Sequence, residues 1–138
     1  MGQIIEKVII KNYVDIDKSL DGLISENAIR TVEIEALVDT GAAFLCLPPS
    51  VITTLGLRHS YSRDVITANG IVKRKVFGGA AINIQGRETS MSVMENDETT
   101  PPLIGYLLLE DLDFVADPKS QKLIPNPAHG GKWISDLL

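Results

Sequence analysis

Asp39-Thr40-Gly41 is the stretch whose residue types and setting point most directly to chemistry. The residues before it, Ala36-Leu37-Val38, are apolar, so the carboxylate stands at the end of a strand headed for the interior. Burying a charge is costly, and an acid held there needs a use or a partner. Thr40 brings a hydroxyl that can tie the turn. Gly41 lets backbone approach the carboxylate closely and adopt dihedral angles closed to other residues. Hydrolysis of a peptide bond without metal or covalent intermediate needs a base to activate water and an acid to protonate the products. Two carboxylates in contact supply both, because they cannot ionise together at close range and share one proton. The triplet occurs once, and no Asp-Ser-Gly accompanies it. A chain of 138 residues makes one domain of ordinary size, so the second carboxylate is expected from a second copy across a two-fold axis. The plain alternative is an Asx turn after a strand.

The elements that must hold this turn can be read from periodicity. Thr31 to Val38 alternates, with Val32, Ile34, Ala36 and Val38 on one face and Thr31, Glu33 and Glu35 on the other, which predicts a half-buried strand. Ile4 to Ile10 predicts a strand, and polar Asn12 to Asn27 a long loop. Apolar Ala43 to Leu47 is stopped by Pro48-Pro49-Ser50, and Ser50 to Leu55 fits a short helix ended by Gly56. Arg58 to Ala68 and Ile71 to Ile84 flank Asn69-Gly70, the pattern of a β-hairpin. Gly78-Gly79 within the second run reads as a bulge. Gln85-Gly86 turns into a strand from Arg87 to Met94. After the polar loop from Glu95 to Pro102, Leu103-Ile104-Gly105 reads as a buried strand end. Tyr106 to Leu112 then fits a short helix with Leu107, Leu108 and Leu112 inward. Phe114 to Ala116 and Lys122 to Ile124 predict a last hairpin, and Asn126 to Leu138 a tail, loosely held or packed as an arm. The expected organisation is therefore a domain over residues 1–125 and a C-terminal tail over 126–138.

Composition narrows the function classes. Aromatic residues make up only 5% of the chain, so the core must come from Ile, Val, Leu and Ala, which leans towards strands. A net charge of −5 argues against nucleic acid as the main partner; Lys73-Arg74-Lys75 reads as a solvated face. The lone Cys46 lies in the apolar run Phe44-Leu45-Cys46-Leu47 and reads as a buried, inert thiol. That usage, with no leader-like start and no apolar stretch of membrane-spanning length, leads to an expected cytoplasmic location and no membrane partner. No cofactor and no metal are expected. Asp15 to Glu26 imitates a calcium loop, but Leu20 stands where the turn needs glycine, and His59 and His129 lack ligand spacing and read as surface residues.

Taken together, the sequence resembles a retropepsin-like aspartic peptidase of the single-domain type, similar to the retroviral proteases. The resemblance is carried by Leu37-Val38-Asp39-Thr40-Gly41-Ala42, by the second apolar-apolar-Gly element Leu103-Ile104-Gly105 followed by a short helix, and by room for a hairpin between them. It implies a mostly β fold, a closed or partly open barrel with one or two short helices, covering roughly residues 4–125. It also implies a homodimer hydrolysing polypeptide, with Asp39 as acid and base, Thr40 in a hydroxyl network locking the two loops, and Gly41 under the substrate. Ala42, Ala43, Leu103 and Ile104 would line the substrate site, beneath a flap formed by Ala68, Asn69, Gly70 and Ile71. Two departures stand out. Ala43 replaces a usual polar residue, and Tyr106 follows Gly105 where retroviral enzymes carry Arg. They motivate a second expectation: a catalytically weak or inactive dimeric peptide-binding or assembly module on the same fold.

Overall fold

The computed structural model describes residues 3–137. Among the described residues, nine strands and three α-helices follow one another. Strand β1 (Ile5–Asn12) leads into helix α1 (Tyr13–Leu20), then β2 (Thr31–Val38), β3 (Leu45–Leu47), helix α2 (Pro49–Leu55) and the hairpin of β4 (Arg58–Thr67) with β5 (Gly70–Ile84). Strand β6 (Arg87–Glu95), β7 (Leu103–Ile104), helix α3 (Tyr106–Leu112), β8 (Phe114–Asp117) and β9 (Lys122–Pro125) complete it.

Seven strands form one sheet in the order β1-β2-β7-β3-β6-β5-β4, and β1 also pairs with β5. That extra pairing curls the sheet upon itself into a barrel-like body, from which β4 projects as one arm of a hairpin. Val8, Ile10, Leu45, Leu47, Ile82, Ile84, Val93, Ile104, Leu108 and Leu112 have no accessible surface and fill the interior. Burying each such side chain contributes about 1.5–3 kcal/mol. The expected mostly β architecture is what the chain adopts.

Strand β5 is fifteen residues long and serves two purposes. Its second half pairs with β6 and β1 in the body, and its first half pairs with β4 in the hairpin. The change comes at Gly78-Gly79, where the β5–β6 register slips between Phe77 and Ala80. This is the bulge the two glycines predict, and bulges bend the strand that carries them. At the hairpin tip Thr67 pairs with Gly70 across Ala68-Asn69, and Gly70 takes a φ of +107°.

Three expectations need correction. The loop expected over Asn12 to Asn27 contains α1. Asn12 caps it by accepting the amide of Asp15 at 3.0 Å, while its own amide donates to the carbonyl of Leu55 at 2.8 Å. The buried Asp15 carboxylate holds the segment, taking the Arg30 amide at 3.0 Å, Nε at 2.8 Å and Nη2 at 3.0 Å. Hydrogen bonds from Arg30 draw its pKa down from 3.8 to about 2, against the opposing cost of burial. Second, Leu107 in α3 is 40% exposed, and the inward leucines are Leu108, Leu109 and Leu112. Third, His129 belongs to a part-buried contact. Its Nδ1 lies 2.5 Å from Oδ2 of Asp113, which also receives the Ile134 amide at 3.2 Å, while Asn126 donates to Oδ1 at 3.1 Å. Trp133 donates to the carbonyl of Asp111 at 3.0 Å, and the Arg87 guanidinium sits over both Phe114 and Trp133. These contacts fasten residues 126–134 to the end of α3 and to Arg87 at the start of β6 as a packed arm.

Candidate active site

The Asp39 loop is fixed from behind before its side chain does anything. Strand β2 ends by pairing in parallel with β7, Leu37 beside Leu103 and Val38 beside Ile104. The Asp39 amide then donates to the carbonyl of Ile104 at 3.0 Å. Past the turn, the amides of Tyr106 and Leu107 donate to the carbonyls of Ala42 and Ala43 at 2.8 and 3.1 Å. Helix α3 therefore begins directly on the loop. Gly105 is what permits the approach: a Cβ there would lie 2.4 Å from the carbonyl carbon of Ala43 and from the carbonyl oxygen of Phe44.

The loop closes on itself as well. The Ala42 amide donates to the Asp39 carbonyl at 3.1 Å, and the Gly41 amide to Asp39 Oδ1 at 2.9 Å. A Cβ on Gly41 would sit 3.2 Å from that oxygen, so glycine keeps room for the carboxylate. Among the described residues Oδ2 engages no group. Asp39 is half-buried, with Thr40 and Gly41 exposed beside it.

Asp39 stands in a cleft of about 680 Å³, open to solvent. Gly41, Ala42, Ala43 and Leu103 share its lining from the loop side, and Ala68 does so from the hairpin. These residues, distant in sequence, line one cleft. Others of the expected set do not. Asn69, Gly70 and Ile71 lie at the hairpin tip outside the cleft, with Ile71 70% exposed. Thr40 points to the surface beside the cleft. Ile104 is fully buried and cannot touch a substrate in this chain; its contribution is the carbonyl that holds the Asp39 amide. The reason is the alternation of a strand, which sends Leu103 one way and Ile104 the other.

The sequence reading also missed cleft residues. Phe44, Cys46 and Met94 form the floor, and Arg63, Val65, Thr67 and Arg74 come from the hairpin. A period of two could have separated the faces of the hairpin arms: Val65, Thr67, Val72 and Arg74 are partly covered and Val76 is buried, while Ile66, Ile71, Lys73 and Lys75 are exposed. Cys46 is buried, and desolvation, assisted by the negative charge of Asp39 and opposed by Arg74, pushes its thiol up to about 11. It is protonated at neutral pH, as the inert reading requires.

Residues 26–111, more than half of the chain, match the family model described as "gag-polyprotein putative aspartyl protease". The chain belongs to this family. Among solved structures, EIAV protease complexed with the inhibitor HBY-793 superimposes with a TM-score of 0.56 at 17% identity, covering 80% of this chain and 88% of that one. At that identity the likeness is one of fold. No curated protein matches the sequence. In this retropepsin-like protease domain the matched segment runs from before β2 to the end of α3. It therefore contains the Asp39 loop, the hairpin and the Gly105 clamp.

Proposed function

We propose that the chain is an aspartic endopeptidase that works as a homodimer, with the Asp39 carboxylates of two copies facing each other at the base of a shared cleft. The observation that carries the reading is a half-buried carboxylate with one oxygen tied to its own loop and the other unengaged among the described residues, set in a cleft beneath a hairpin. One such group can accept a proton or donate one, but peptide hydrolysis needs both acts. A second copy supplies the complement. The pair then holds one proton between them, because two adjacent carboxylates cannot both be charged.

The steps follow from that arrangement. An extended peptide lies between floor and hairpin, adding a strand. The charged Asp39 takes a proton from a water held between the two carboxylates, and that water attacks the scissile carbonyl. The protonated Asp39 of the other copy donates to the carbonyl oxygen as it gains charge. The proton taken from water then passes to the departing nitrogen, a hydroxyl of the tetrahedral intermediate returns its proton to the other Asp39, and the C–N bond breaks, leaving an acid, an amine and the singly protonated pair. Closure of the hairpin excludes bulk water, a gating role loops often serve. No cofactor is required by this scheme.

The experiment is a digest of a peptide mixture by wild-type and Asp39→Asn protein over mildly acidic to neutral pH, with a hydroxyl-bearing transition-state mimic as inhibitor. Cuts that the mimic blocks and the variant lacks are expected, with the variant's fold and dimer intact. Specific activity should also fall on dilution as the dimer dissociates. Full activity of a clean Asp39→Asn preparation refutes the mechanism. Peptide binding without cuts identifies the second reading, a dimeric binding module, which the Ala43 and Tyr106 departures favour.

A further inference from the structure

Lys73-Arg74-Lys75 reads in sequence as one basic cluster, but the structure divides it. Lys73 and Lys75 are exposed on the outer face of the hairpin, whereas Arg74 is half-buried and lines the Asp39 cleft. Directly across the hairpin, Arg74 pairs with Arg63, and Arg63 lines the same cleft. Residues directly opposite in an antiparallel pair share a face, and like charges there are destabilising. The neighbouring pair shows the compensated arrangement: Asp64 is opposite Lys73, with Oδ1 and Nζ 3.8 Å apart.

Among the described residues neither arginine is held in an ion pair, although Arg74 also borders a second hollow with Glu95 and Asp97. Among the described residues, no carboxylate comes within 4.0 Å of either guanidinium. The acids that share the cleft are Asp39 on the floor, Asp64, already engaged by Lys73, and Glu95 at the rim. The Arg63 guanidinium lies 5.1 Å above the centre of the Phe44 ring, which holds it over the cleft floor without neutralising it. Arginine rather than lysine stands at both cleft-lining positions, Arg74 half-buried and Arg63 exposed. The planar fork of arginine matches a carboxylate through two parallel hydrogen bonds, which an ammonium cannot do.

We propose that Arg63 and Arg74 form an anion-receiving wall of the cleft, and that the peptides this site takes carry a Glu or Asp side chain in the subsite bounded by Arg63, Arg74, Phe44 and Val65. The inference rests on the peptidase reading and names its substrate class. An extended peptide presents alternate side chains to one side, so one acidic residue at a fixed distance from the cleaved bond meets the wall.

The test gives purified wild-type protein matched peptides that differ only by Glu or Gln at each position around the cleaved bond. At one position Glu raises kcat/KM at least about tenfold, mainly through KM, as expected of a charge-assisted contact. The Glu/Gln ratio falls towards one in Arg63→Gln/Arg74→Gln and falls partly in Arg74→Gln. Because the ratio is taken within each variant, a general loss of activity does not alter it. Relief of the like-charge pair also leaves Tm unchanged or raised, where loss of a structural ion pair would lower it. A wild-type ratio near one at every position, or a ratio kept in the double variant, overturns the proposal. If no peptide is cut, the peptidase reading fails instead, and fluorescence anisotropy with the same labelled peptides decides the wall alone. Tighter binding of the Glu peptide, lost in the double variant, supports it; equal binding or none overturns it.

Discussion

Gly105→Ala tests the claim that the floor of the cleft is held from behind. The added methyl would stand 2.4 Å from two backbone atoms of Ala43 and Phe44 and 2.5 Å from a third, where real contacts essentially never fall below 3.0 Å. Backbone cannot rotate away as a long side chain can. The loop and the start of α3 must therefore part by about 0.6 Å at the least, and by about 1 Å to reach ordinary contact. Overpacking of this kind costs about 2 kcal/mol, which at this chain length lowers Tm by roughly 5–10 °C. The larger effect is on function, because the loop that moves carries Asp39. A displacement near 1 Å at a reacting group costs about a hundredfold in rate. The assay is kcat/KM on a cleaved peptide, well below the Tm of both proteins, beside a thermal melt. Gly86→Ala is the control. Gly86 has a φ of +85° but open space around its Cα, so alanine there costs roughly 1–2 kcal/mol in backbone strain far from the loop. An unchanged Tm in Gly105→Ala refutes the clash. A loss of kcat/KM no greater than in Gly86→Ala refutes the claim that the clamp positions the carboxylate.

Acid should loosen the α1 segment. The Asp15 pKa is depressed, so its contribution is complete above the ordinary value of 3.8 and disappears as pH falls towards about 2. Asp15→Asn should cost about 1–2 kcal/mol at pH 7, a figure reduced because Arg30 is half exposed, and the gap from wild type should narrow between pH 4 and 2 in urea melts. A gap that is constant with pH would remove Arg30 pairing as the cause. His129→Ala should free the C-terminal arm. Its signatures are red-shifted emission from Trp133, the chain's single tryptophan, and proteolysis beyond residue 125 faster by roughly tenfold. Protection equal to wild type would show that the Arg87 contacts hold the arm without the Asp113–His129 bond.

Much of the fold was legible because most of its strands obey a two-residue period, and several of its turns and bends carry glycine. β2 and the Gly78-Gly79 bulge are examples. Helix α1 was hidden for a physical reason. Of its apolar residues Tyr13, Val14 and Leu20 are exposed and Ile16 is only half-buried, so no buried stripe advertises it. What holds it is the Asn12 cap and the distant Arg30, and a partner fifteen residues away leaves no local pattern. His129 was misread on the same ground, since its partner Asp113 takes a left-handed φ of 58° at the end of α3 and no spacing rule connects the two.

The site divides along the same line. Asp39 stands out in sequence because it answers a local demand, a carboxylate ending an apolar strand, whereas Gly105 stands out through the resemblance and answers the approach of Ala43 and Phe44. The cleft walls answer no such demand. Arg74 sits between two lysines and is chemically indistinguishable from them until the register of the hairpin is known. One residue's shift would send Arg74 outward and the lysines in. The bulge at Gly78-Gly79 interrupts the register between the body and the hairpin, so these glycines help determine which cation faces the cleft. On the proposed reading, specificity in this cleft is a property of strand register, while the chemistry is a property of one loop. The two can then change independently: substitutions along the hairpin would alter which peptides are received without disturbing the clamp that holds Asp39.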